Sequence, residues 1–219
     1  MQKSVIIVAG GLGTRMNADI PKQFIEISGK PIVMHTIEKF YYFDHSITIV
    51  LVLPKQHILL WHKLVEKHNF NIPLQLANGG ETRFDSVKNG LKIIKNGIVA
   101  IHDAVRPFVS LETIKRAYET AISKGNAIPT IGINDSLRIL DNYGNKPLDR
   151  NLIKIIQTPQ CFEITLIKKA YDQPFDSSFT DDASVLEKIG EEINLIEGNQ
   201  ENIKITHPTD LMIANTLLL

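Results

Sequence analysis

The chain has 219 residues, 43% of them apolar and 22% charged, a balance typical of one α/β domain and not of a disordered or fibrous protein. Its 24 Lys and Arg residues equal its 24 Asp and Glu residues, which argues against a general nucleic-acid-binding protein. The single cysteine, Cys161, excludes an intramolecular disulfide and suits a reducing compartment. No apolar run reaches the ~18 residues of a membrane span, and the apolar run near the start is too short for a secretory signal. We therefore expect a cytoplasmic protein that binds neither nucleic acid nor a membrane.

Up to residue 133, short aliphatic runs alternate with segments of helical periodicity. The aliphatic runs are flanked by Gly, Pro, Asn or Asp, which indicates buried strands. Alternating strands and helices predict a mostly parallel sheet with helices on both faces, in which ligands bind beyond the carboxyl ends of the strands. The predicted strands are 5–8, 47–53, 74–77, 98–101 and 127–133, and the predicted helices lie near 32–42, 55–68, 82–95 and 111–124.

The alternation changes between residues 134 and 157. Residues 134–140 alternate polar and apolar side chains, and 141–145 have the composition of a turn, which together predict an antiparallel β-arm. Because an isolated hairpin is only marginally stable in water, we expect the arm to pack against another surface, and a second subunit is a candidate. Beyond the arm, the pattern predicts helices at 163–171, 182–189 and 208–218 and strands at 193–196 and 203–205.

A glycine-rich segment follows the first predicted strand. Gly10, Gly11 and Gly13 occupy three of four positions, and the cations Arg15 and Lys22 come after them. Glycines let a backbone approach a ligand with its N–H groups turned toward it, so the segment indicates polyphosphate binding. A Walker A loop requires Lys-Ser or Lys-Thr after its last glycine, and the dinucleotide fingerprint requires a third glycine or alanine at a spacing not met here. Taken alone, the segment fits a nucleotidyltransferase loop and also a tight turn with two solvated cations.

Further polar motifs lie at 79–87, 102–107, 157–160, 179–184 and 201–206. With the glycine-rich segment and Pro21-Lys22-Gln23-Phe24, they resemble, in order and spacing over essentially the whole chain, the 2-C-methyl-D-erythritol 4-phosphate cytidylyltransferases of the non-mevalonate isoprenoid pathway. The resemblance implies one domain over residues 1–219. Its fold would be a Rossmann-like mostly parallel sheet of the nucleotide-diphospho-sugar transferase type, with a β-arm at 134–157 that forms a homodimer. It also implies condensation of CTP with a polyol phosphate and release of pyrophosphate.

The resemblance assigns Arg15, Lys22 and Lys204 as the catalytic cations that stabilise the transition state. Nucleotidyl transfer depends mainly on positioning and charge neutralisation, and the substrate phosphate is itself the nucleophile, so no general base is required. We therefore interpret His102 as structural. Asp103 is expected to bind Mg²⁺ or another divalent cation, since Mg²⁺ prefers one or two carboxylates together with substrate phosphates. By residue type alone, these side chains could equally be surface charges or helix caps.

The resemblance also implies two sets of substrate-binding residues. Glu81 stands where the family often has Asp, and Ser136 stands where it often has Thr. The arm residues Asp135, Ser136 and Arg150 are expected to reach the neighbouring subunit's site. The residues implied for CTP are Ala9, Gly10, Gly11, Gly80, Glu81, Ser86, Asp103 and Ala104, and those implied for the polyol phosphate are Arg106, Asp135, Ser136, Arg150, Thr158 and Thr180.

Two other functions compete with this interpretation. A ribitol 5-phosphate cytidylyltransferase shares the glycine-rich segment and the Pro-Lys-Gln-Phe and Thr-Pro-Gln motifs, but Ala104 followed by Val105 and the motifs at 180–184 and 201–204 favour the methylerythritol substrate. A non-catalytic nucleotide-sensing module on the same fold would be expected to lose Lys22, Asp103 or Lys204, and all three are present.

Overall fold

A mixed sheet forms the centre of the computed structural model, which describes residues 1–10, 20–142 and 144–218; eight strands belong to the sheet within those ranges. The strands along the chain are β1 (Lys3–Val8), β2 (Glu26–Ile27), β3 (Lys30–Pro31), β4 (Thr48–Leu53), β5 (Gln75–Asn78), β6 (Ile98–Asp103), β7 (Asn126–Ile131), β8 (Leu137–Asp141), β9 (Gly144–Leu148), β10 (Ile155–Ile156), β11 (Gln160–Glu163) and β12 (Leu195–Glu197). The helices are α1 (Ile32–Phe43), α2 (Ile58–Lys67), α3 (Arg83–Leu91), α4 (Leu111–Lys124), α5 (Ile164–Tyr171), α6 (Asp182–Glu187) and α7 (Pro208–Thr216). None of the helices in these ranges has the length and apolar character needed to cross a membrane.

The parallel half of the sheet has the order β6-β1-β4-β5, with β1 between two parallel neighbours. Both faces are covered, so β1, β4 and β6 are buried almost throughout, whereas only Ala77 is buried in the edge strand β5. Val5 and Ile7 pack against α1, α2 and α4, whereas Ile6 packs against α3, α5 and α6 on the other face. The predicted α/β class is confirmed, and the carboxyl ends of β1, β4, β5 and β6 lie at one edge of the sheet.

The other half of the sheet is mostly antiparallel and is built around β11, a strand that the sequence analysis did not predict. β11 pairs with β6 on one side and β7 on the other, so Cys161 lies opposite both Ala100 and Ala127. β10 also pairs with β7, and β12 runs parallel to it. The four residues of β11 show no local strand pattern, because they are polar at both ends and Glu163 caps α5. Pairing with two partners far away in the sequence decides their conformation.

The predicted β-arm contains an antiparallel hairpin formed by β8 and β9, with Leu137 opposite Leu148. Its side chains are almost all exposed, including Leu140, which is 77% exposed. A short 3₁₀ turn at Arg150–Leu152 follows, and the chain then rejoins the main sheet at β10. Within the described residues the hairpin therefore projects from the body of the chain.

The largest differences between the predicted elements and the structure concern three segments. A 3₁₀ turn at Lys55–His57 follows Pro54, so α2 begins only at Ile58. The helix predicted near 82–95 ends at Leu91, where the Ile93 N–H turns back to the Gly90 carbonyl. The strand predicted at 203–205 is wrong, because this segment crosses the end of β6 and makes only a single backbone hydrogen bond there, from the Ile205 N–H to the Val105 carbonyl.

Candidate active site

The polar motifs meet at the carboxyl edge of the parallel strands. β1 runs into Ala9 and Gly10, β5 leads to Gly79 and Gly80, and β6 ends at Asp103. Backbone hydrogen bonds tie these loops together, as in the 2.8 Å bond from the Gly79 N–H to the Leu53 carbonyl and the 3.1 Å bond from the Ala104 N–H to the Val8 carbonyl. The parallel topology thus assembles residues that are far apart along the chain into one site.

Three cations surround the Asp103 carboxylate. Lys204 Nζ lies 2.9 Å from Oδ2, Arg106 Nε lies 3.4 Å from the same oxygen, and Arg83 Nε lies 3.8 Å from Oδ1. Burial by itself would raise the pKa of Asp103, but Lys204, Arg83 and Arg106 outweigh it and hold the pKa well below its usual range. Asp103 is therefore ionised at neutral pH and joins three positively charged side chains at one point.

Lys204 reaches Asp103 from a segment without regular secondary structure, which two contacts fix in place. Arg106 Nη1 donates a 2.7 Å hydrogen bond to the Asn202 carbonyl. Ile205 is fully buried among apolar residues that include Ile27 and Phe108. The alternation of buried and exposed side chains that suggested a strand at 203–205 instead places Lys204 between two anchored neighbours.

His102 and Thr158 form a buried chain of hydrogen bonds behind the Asp103 carboxylate. The Asp103 N–H donates to Thr158 Oγ1 at 3.1 Å, Thr158 Oγ1 lies 3.0 Å from His102 Nδ1, and His102 Nε2 lies 3.0 Å from the Arg106 carbonyl. A carbonyl only accepts, so Nε2 carries the ring proton and Nδ1 accepts the Thr158 hydroxyl proton. Burial lowers the pKa of His102 to about 4, so the ring is neutral at pH 7. With both nitrogens engaged, His102 orients Thr158 and Arg106, in agreement with the structural role expected from the sequence.

A cavity of about 270 Å³ opens beside Asp103. Thr180 and Asp181 reach it from the segment before α6, and Gln160 reaches it from β11. Five residues predicted from the sequence are thereby brought together; these are Asp103, Arg106, Thr158, Thr180 and Lys204. The remaining lining residues are Arg83, Ile156, Gln157, Gln160 and Asp181.

The sequence analysis did not assign roles to two buried amides in this region. Gln160 donates to Asp181 Oδ2 at 2.7 Å and accepts from the Ala183 N–H at 2.9 Å, so it holds the start of α6. Asn202 donates to the Thr158 carbonyl at 2.8 Å. Both residues lie inside motifs that the sequence analysis singled out, which was the available signal, but their partners depend on the tertiary structure.

A second group of contacts shapes the loops implied for CTP. Gln23 Nε2 donates a 2.9 Å hydrogen bond to the Ala9 carbonyl, and Thr36 Oγ1 donates a 2.8 Å hydrogen bond to the Ala104 carbonyl. The Gly80 N–H donates to Ser86 Oγ at 3.0 Å, and Ser86 in turn donates to the Thr82 carbonyl at 2.9 Å. The Ser86 hydroxyl therefore holds the loop between β5 and α3.

Two glycines, Gly80 in this loop and Gly10 after β1, have little space around them. A Cβ on Gly80 would lie 2.2 Å from the Asp85 Cβ, and one on Gly10 would lie 3.2 Å from Ser86 Oγ. A side chain at Gly80 would therefore displace the first turn of α3. Glu81 is exposed at the tip of the same loop.

The remaining predicted residues are not in this cavity or are not described. Gly11 and Arg15 lie outside the described residues. Lys22 is half-buried at the start of a 3₁₀ turn, Lys22–Phe24. Asp135, Ser136 and Arg150 are exposed on the arm, where Arg150 donates a hydrogen bond to the Asn134 carbonyl. No cluster of three or more acidic, His or Cys side chains suited to a metal ion occurs within the described residues, so a metal here would need oxygens from a bound ligand besides Asp103.

The chain resembles known proteins over essentially its whole length. A family model described as 2-C-methyl-D-erythritol 4-phosphate cytidylyltransferase matches residues 4–219. The proteins of that name from Bacteroides thetaiotaomicron and Phocaeicola vulgatus are 50% and 51% identical to this chain, with full coverage of both chains in each case. The crystal structure of 4-diphosphocytidyl-2C-methyl-D-erythritol synthase from Anaerococcus prevotii superposes with a TM-score of 0.84 at 28% identity, covering 99% of this chain and 96% of that one.

Proposed function

Because the chain belongs to the 2-C-methyl-D-erythritol 4-phosphate cytidylyltransferase family, we propose that it transfers the cytidylyl group of CTP to 2-C-methyl-D-erythritol 4-phosphate. The products are pyrophosphate and the CDP-linked methylerythritol of the non-mevalonate isoprenoid pathway. The observation that carries the proposal is the cavity beside Asp103, where Lys204, Arg83 and Arg106 converge at the carboxyl edge of the sheet.

The reaction joins two anions, and the charges of the site fit that task. An oxygen of the substrate phosphate forms a bond to the α-phosphorus of CTP, while the bond from that phosphorus to the pyrophosphate oxygen breaks in line. Lys204 and Arg106 would offset the repulsion between the anions and the charge of the five-coordinate transition state. Lys22, which is not among the residues that line the cavity, and Arg15 are proposed for the same role from the family resemblance. No general base is required, which agrees with a neutral His102 whose two nitrogens are both hydrogen-bonded.

Asp103 is the proposed ligand of a divalent cation such as Mg²⁺. Its carboxylate is ionised and lies at the cavity, and Mg²⁺ commonly combines one carboxylate with the oxygens of a bound polyphosphate. The ion would supply additional positive charge against the phosphates of CTP. We propose that Ala9, Gly10, Gly80 and Ala104 shape the nucleotide side of this site, together with Gly11, Glu81 and Ser86.

A homodimer formed through the β-arm is the proposed assembly. The arm exposes apolar side chains, since Leu140 and Leu152 are 77% and 78% exposed and Ile139 is 43% exposed. Such a patch on a projecting hairpin fits a symmetric interface with a second copy. The arm would then carry Asp135, Ser136 and Arg150 toward the polyol phosphate bound by the other copy.

We place this activity in the cytoplasm, since the one cysteine of the chain, Cys161, is buried and suits a reducing compartment.

A comparison of substrates tests the proposed function. The purified chain is incubated with CTP, Mg²⁺ and either 2-C-methyl-D-erythritol 4-phosphate or ribitol 5-phosphate, and pyrophosphate release is followed. We expect efficient turnover with the methylerythritol substrate. Turnover with ribitol 5-phosphate alone would instead indicate the ribitol enzyme, and CTP binding without pyrophosphate release from any polyol phosphate would indicate a nucleotide-sensing module.

A further inference from the structure

Arg83 joins two parts of the site that are far apart in the sequence. It is the first residue of α3 and directly follows the loop that contains Gly80. Its Nη1 and Nη2 donate to the two carboxylate oxygens of Asp182 at 2.8 and 2.7 Å, and its Nε lies 3.8 Å from Asp103 Oδ1. One guanidinium group therefore contacts both Asp103 and the first residue of α6.

The contact with Asp182 is strong and enclosed. Asp182 is fully buried, and it also accepts a 2.6 Å hydrogen bond from the Tyr171 hydroxyl. A paired, two-point bond between an arginine and a carboxylate fixes both distance and orientation, which a single-point contact with lysine does not. The geometry of the Arg83–Asp182 pair thus sets where α6 begins relative to α3.

The next residue, Phe84, reinforces the same connection. Its ring stacks on Tyr171 at 4.6 Å and on Phe179 at 5.7 Å between ring centroids. Phe179 and Asp182 flank Thr180, which reaches the cavity from a segment without regular secondary structure. Two consecutive residues of α3 therefore hold the chain on both sides of Thr180.

The loop before α3 is in turn bound tightly to the first turn of the helix. The Asp85 N–H donates to Thr82 Oγ1 at 3.1 Å, and the Thr82 N–H donates to Asp85 Oδ2 at 3.2 Å. The Gly80 N–H is held by Ser86. A displacement of this loop therefore moves Arg83 with it, since the loop and the helix start are one hydrogen-bonded unit.

We propose that Arg83 is a positioning residue that couples the nucleotide side of the site to the side that binds the polyol phosphate. This rests on the proposed function, in which the Gly80 loop contacts CTP and Thr180 contacts the polyol phosphate. CTP on the loop sets the position of Arg83, and Arg83 sets the positions of Thr180 and Asp103. By linkage, each substrate then strengthens the binding of the other by the same factor.

The experiment measures that factor by calorimetry. 2-C-methyl-D-erythritol 4-phosphate is titrated into the enzyme with and without a CTP analogue that has a methylene group between its α- and β-phosphates, so that no transfer occurs. In the unmodified chain we expect the analogue to tighten polyol phosphate binding by about tenfold. In Arg83→Lys, which keeps the charge but loses the two-point bond, the factor falls toward one. An unchanged factor in Arg83→Lys, or no coupling in the unmodified chain, would overturn the proposal.

Two further variants separate coupling from folding. Asp182→Asn removes the same ion pair from the other side and is expected to lose the coupling as well. Arg116→Lys is the matched control, because Arg116 pairs with Glu197 at 3.3 Å and is not among the residues that line the cavity. It should retain the full coupling factor. Thermal unfolding of each variant identifies any that do not fold, and the comparison uses those that do.

Hydrogen exchange gives a measurement that does not depend on turnover. Binding of the CTP analogue is expected to slow amide exchange at 176–184 in the unmodified chain and not in Arg83→Lys. If the unmodified chain released no pyrophosphate from any polyol phosphate, the proposed function would fail while this measurement still tested Arg83. Equal protection of 176–184 in both chains would contradict the coupling even in an active enzyme.

Discussion

Asp103 and the three cations around it lie at the centre of the proposed nucleotidyl-transfer site. Lys204 is 42% exposed at its side chain, whereas Arg106 is largely buried. Arg83 and Arg106 have second partners in Asp182 and the Asn202 carbonyl, which hold them in place. Lys204 therefore has the most freedom to move from Asp103 to a substrate phosphate, and it is the cation whose loss should affect the reaction more than the fold.

Replacement of Lys204 by methionine tests this assignment. We expect kcat to fall by about 100-fold or more, as is typical when one donor to a developing anionic charge is removed. The free energy of unfolding should change by less than about 1 kcal/mol, since the side chain is partly exposed and Asp103 retains two cations. Pyrophosphate release and thermal unfolding are the measurements. Lys188→Met is the control, because Lys188 forms an exposed ion pair with Asp176. A near-normal rate in Lys204→Met would show that Lys204 takes no part in the reaction.

His102 makes stability depend on pH. Its pKa is lowered by burial from 6.5 to about 4, so the folded chain binds fewer protons than the unfolded chain between these values. The neutral His102 ring therefore contributes to the free energy of unfolding. This contribution is fully present above pH 6.5 and is lost as the pH falls through about 4. Because a pKa change of one unit corresponds to ~1.4 kcal/mol, the free energy of unfolding that is lost is on the order of 3 kcal/mol.

The variant His102→Gln tests this dependence. Glutamine does not titrate, so the fall in unfolding free energy between pH 6.5 and 4 should be smaller in the variant than in the unmodified chain. Denaturant unfolding across that range measures the difference. His62→Gln, at an exposed position on α2, should follow the unmodified chain, and an equally steep fall in His102→Gln would contradict the assignment.

The loop before α3 and the first turn of that helix act as one element. Thr82 and Asp85 form a capping box, and Ser86 ties Gly80 to the helix. The sequence predicted a helix near 82–95 from its helical periodicity, which is a local pattern, and singled out the motif at 79–87. It did not predict the Arg83–Asp182 pair, since Asp182 is 99 positions away and only the pairing of strands brings α6 beside α3.

Gly80→Ala tests how closely this element is packed. The new Cβ would lie 2.2 Å from the Asp85 Cβ, so the helix start must shift. We expect a loss of about 1–3 kcal/mol in unfolding free energy and a KM for CTP raised by about tenfold or more. Gly132→Ala is the matched control, since its Cβ would meet no heavy atom within 4 Å. Unfolding and steady-state kinetics are the measurements, and equal behaviour of the two variants would show that the loop tolerates a side chain.

The chain as a whole leaves part of the proposed site exposed. Thr180, Arg106 and Lys204 line the cavity, whereas Ser136 and Arg150 lie on the projecting arm. If the arm of one copy completes the site of the other copy, then the enzymatic activity requires the dimer.

Mixed dimers test this arrangement. Arg150→Ala and Lys22→Ala are each expected to be nearly inactive at moderate substrate concentration, Arg150→Ala through a raised KM for the polyol phosphate with CTP binding retained. If sites are shared, unfolding and refolding the two variants together should restore about a quarter of normal activity, because half of the dimers are mixed and each has one intact site. The same procedure with either variant alone is the control, and no recovery in the mixture would indicate sites contained within one chain.

The local sequence was sufficient for the elements whose own residues specify them. Buried aliphatic runs predicted β1, β4, β6 and β7, since strands covered on both faces are largely apolar, and a shorter run predicted the edge strand β5. The order of motifs at strand ends also predicted which side chains would share one edge of the sheet, because parallel strands point the same way. The roles of Arg106, Thr158, Thr180 and Lys204 came from the family resemblance that the motifs carry, and their distances from one another depend on the fold.

Other features depended on contacts between distant segments. β11 is a strand because β6 and β7 pair with it on either side, and 203–205 is not a strand because no strand of the described residues pairs with it. The neutral state of His102, the ionised state of Asp103 and the two-point contact of Arg83 likewise arise from burial and from charges brought together by folding. Hydrophobic periodicity is a local property that a short segment carries with it, whereas pairing, burial and electrostatic environment exist only when distant segments meet in the folded chain.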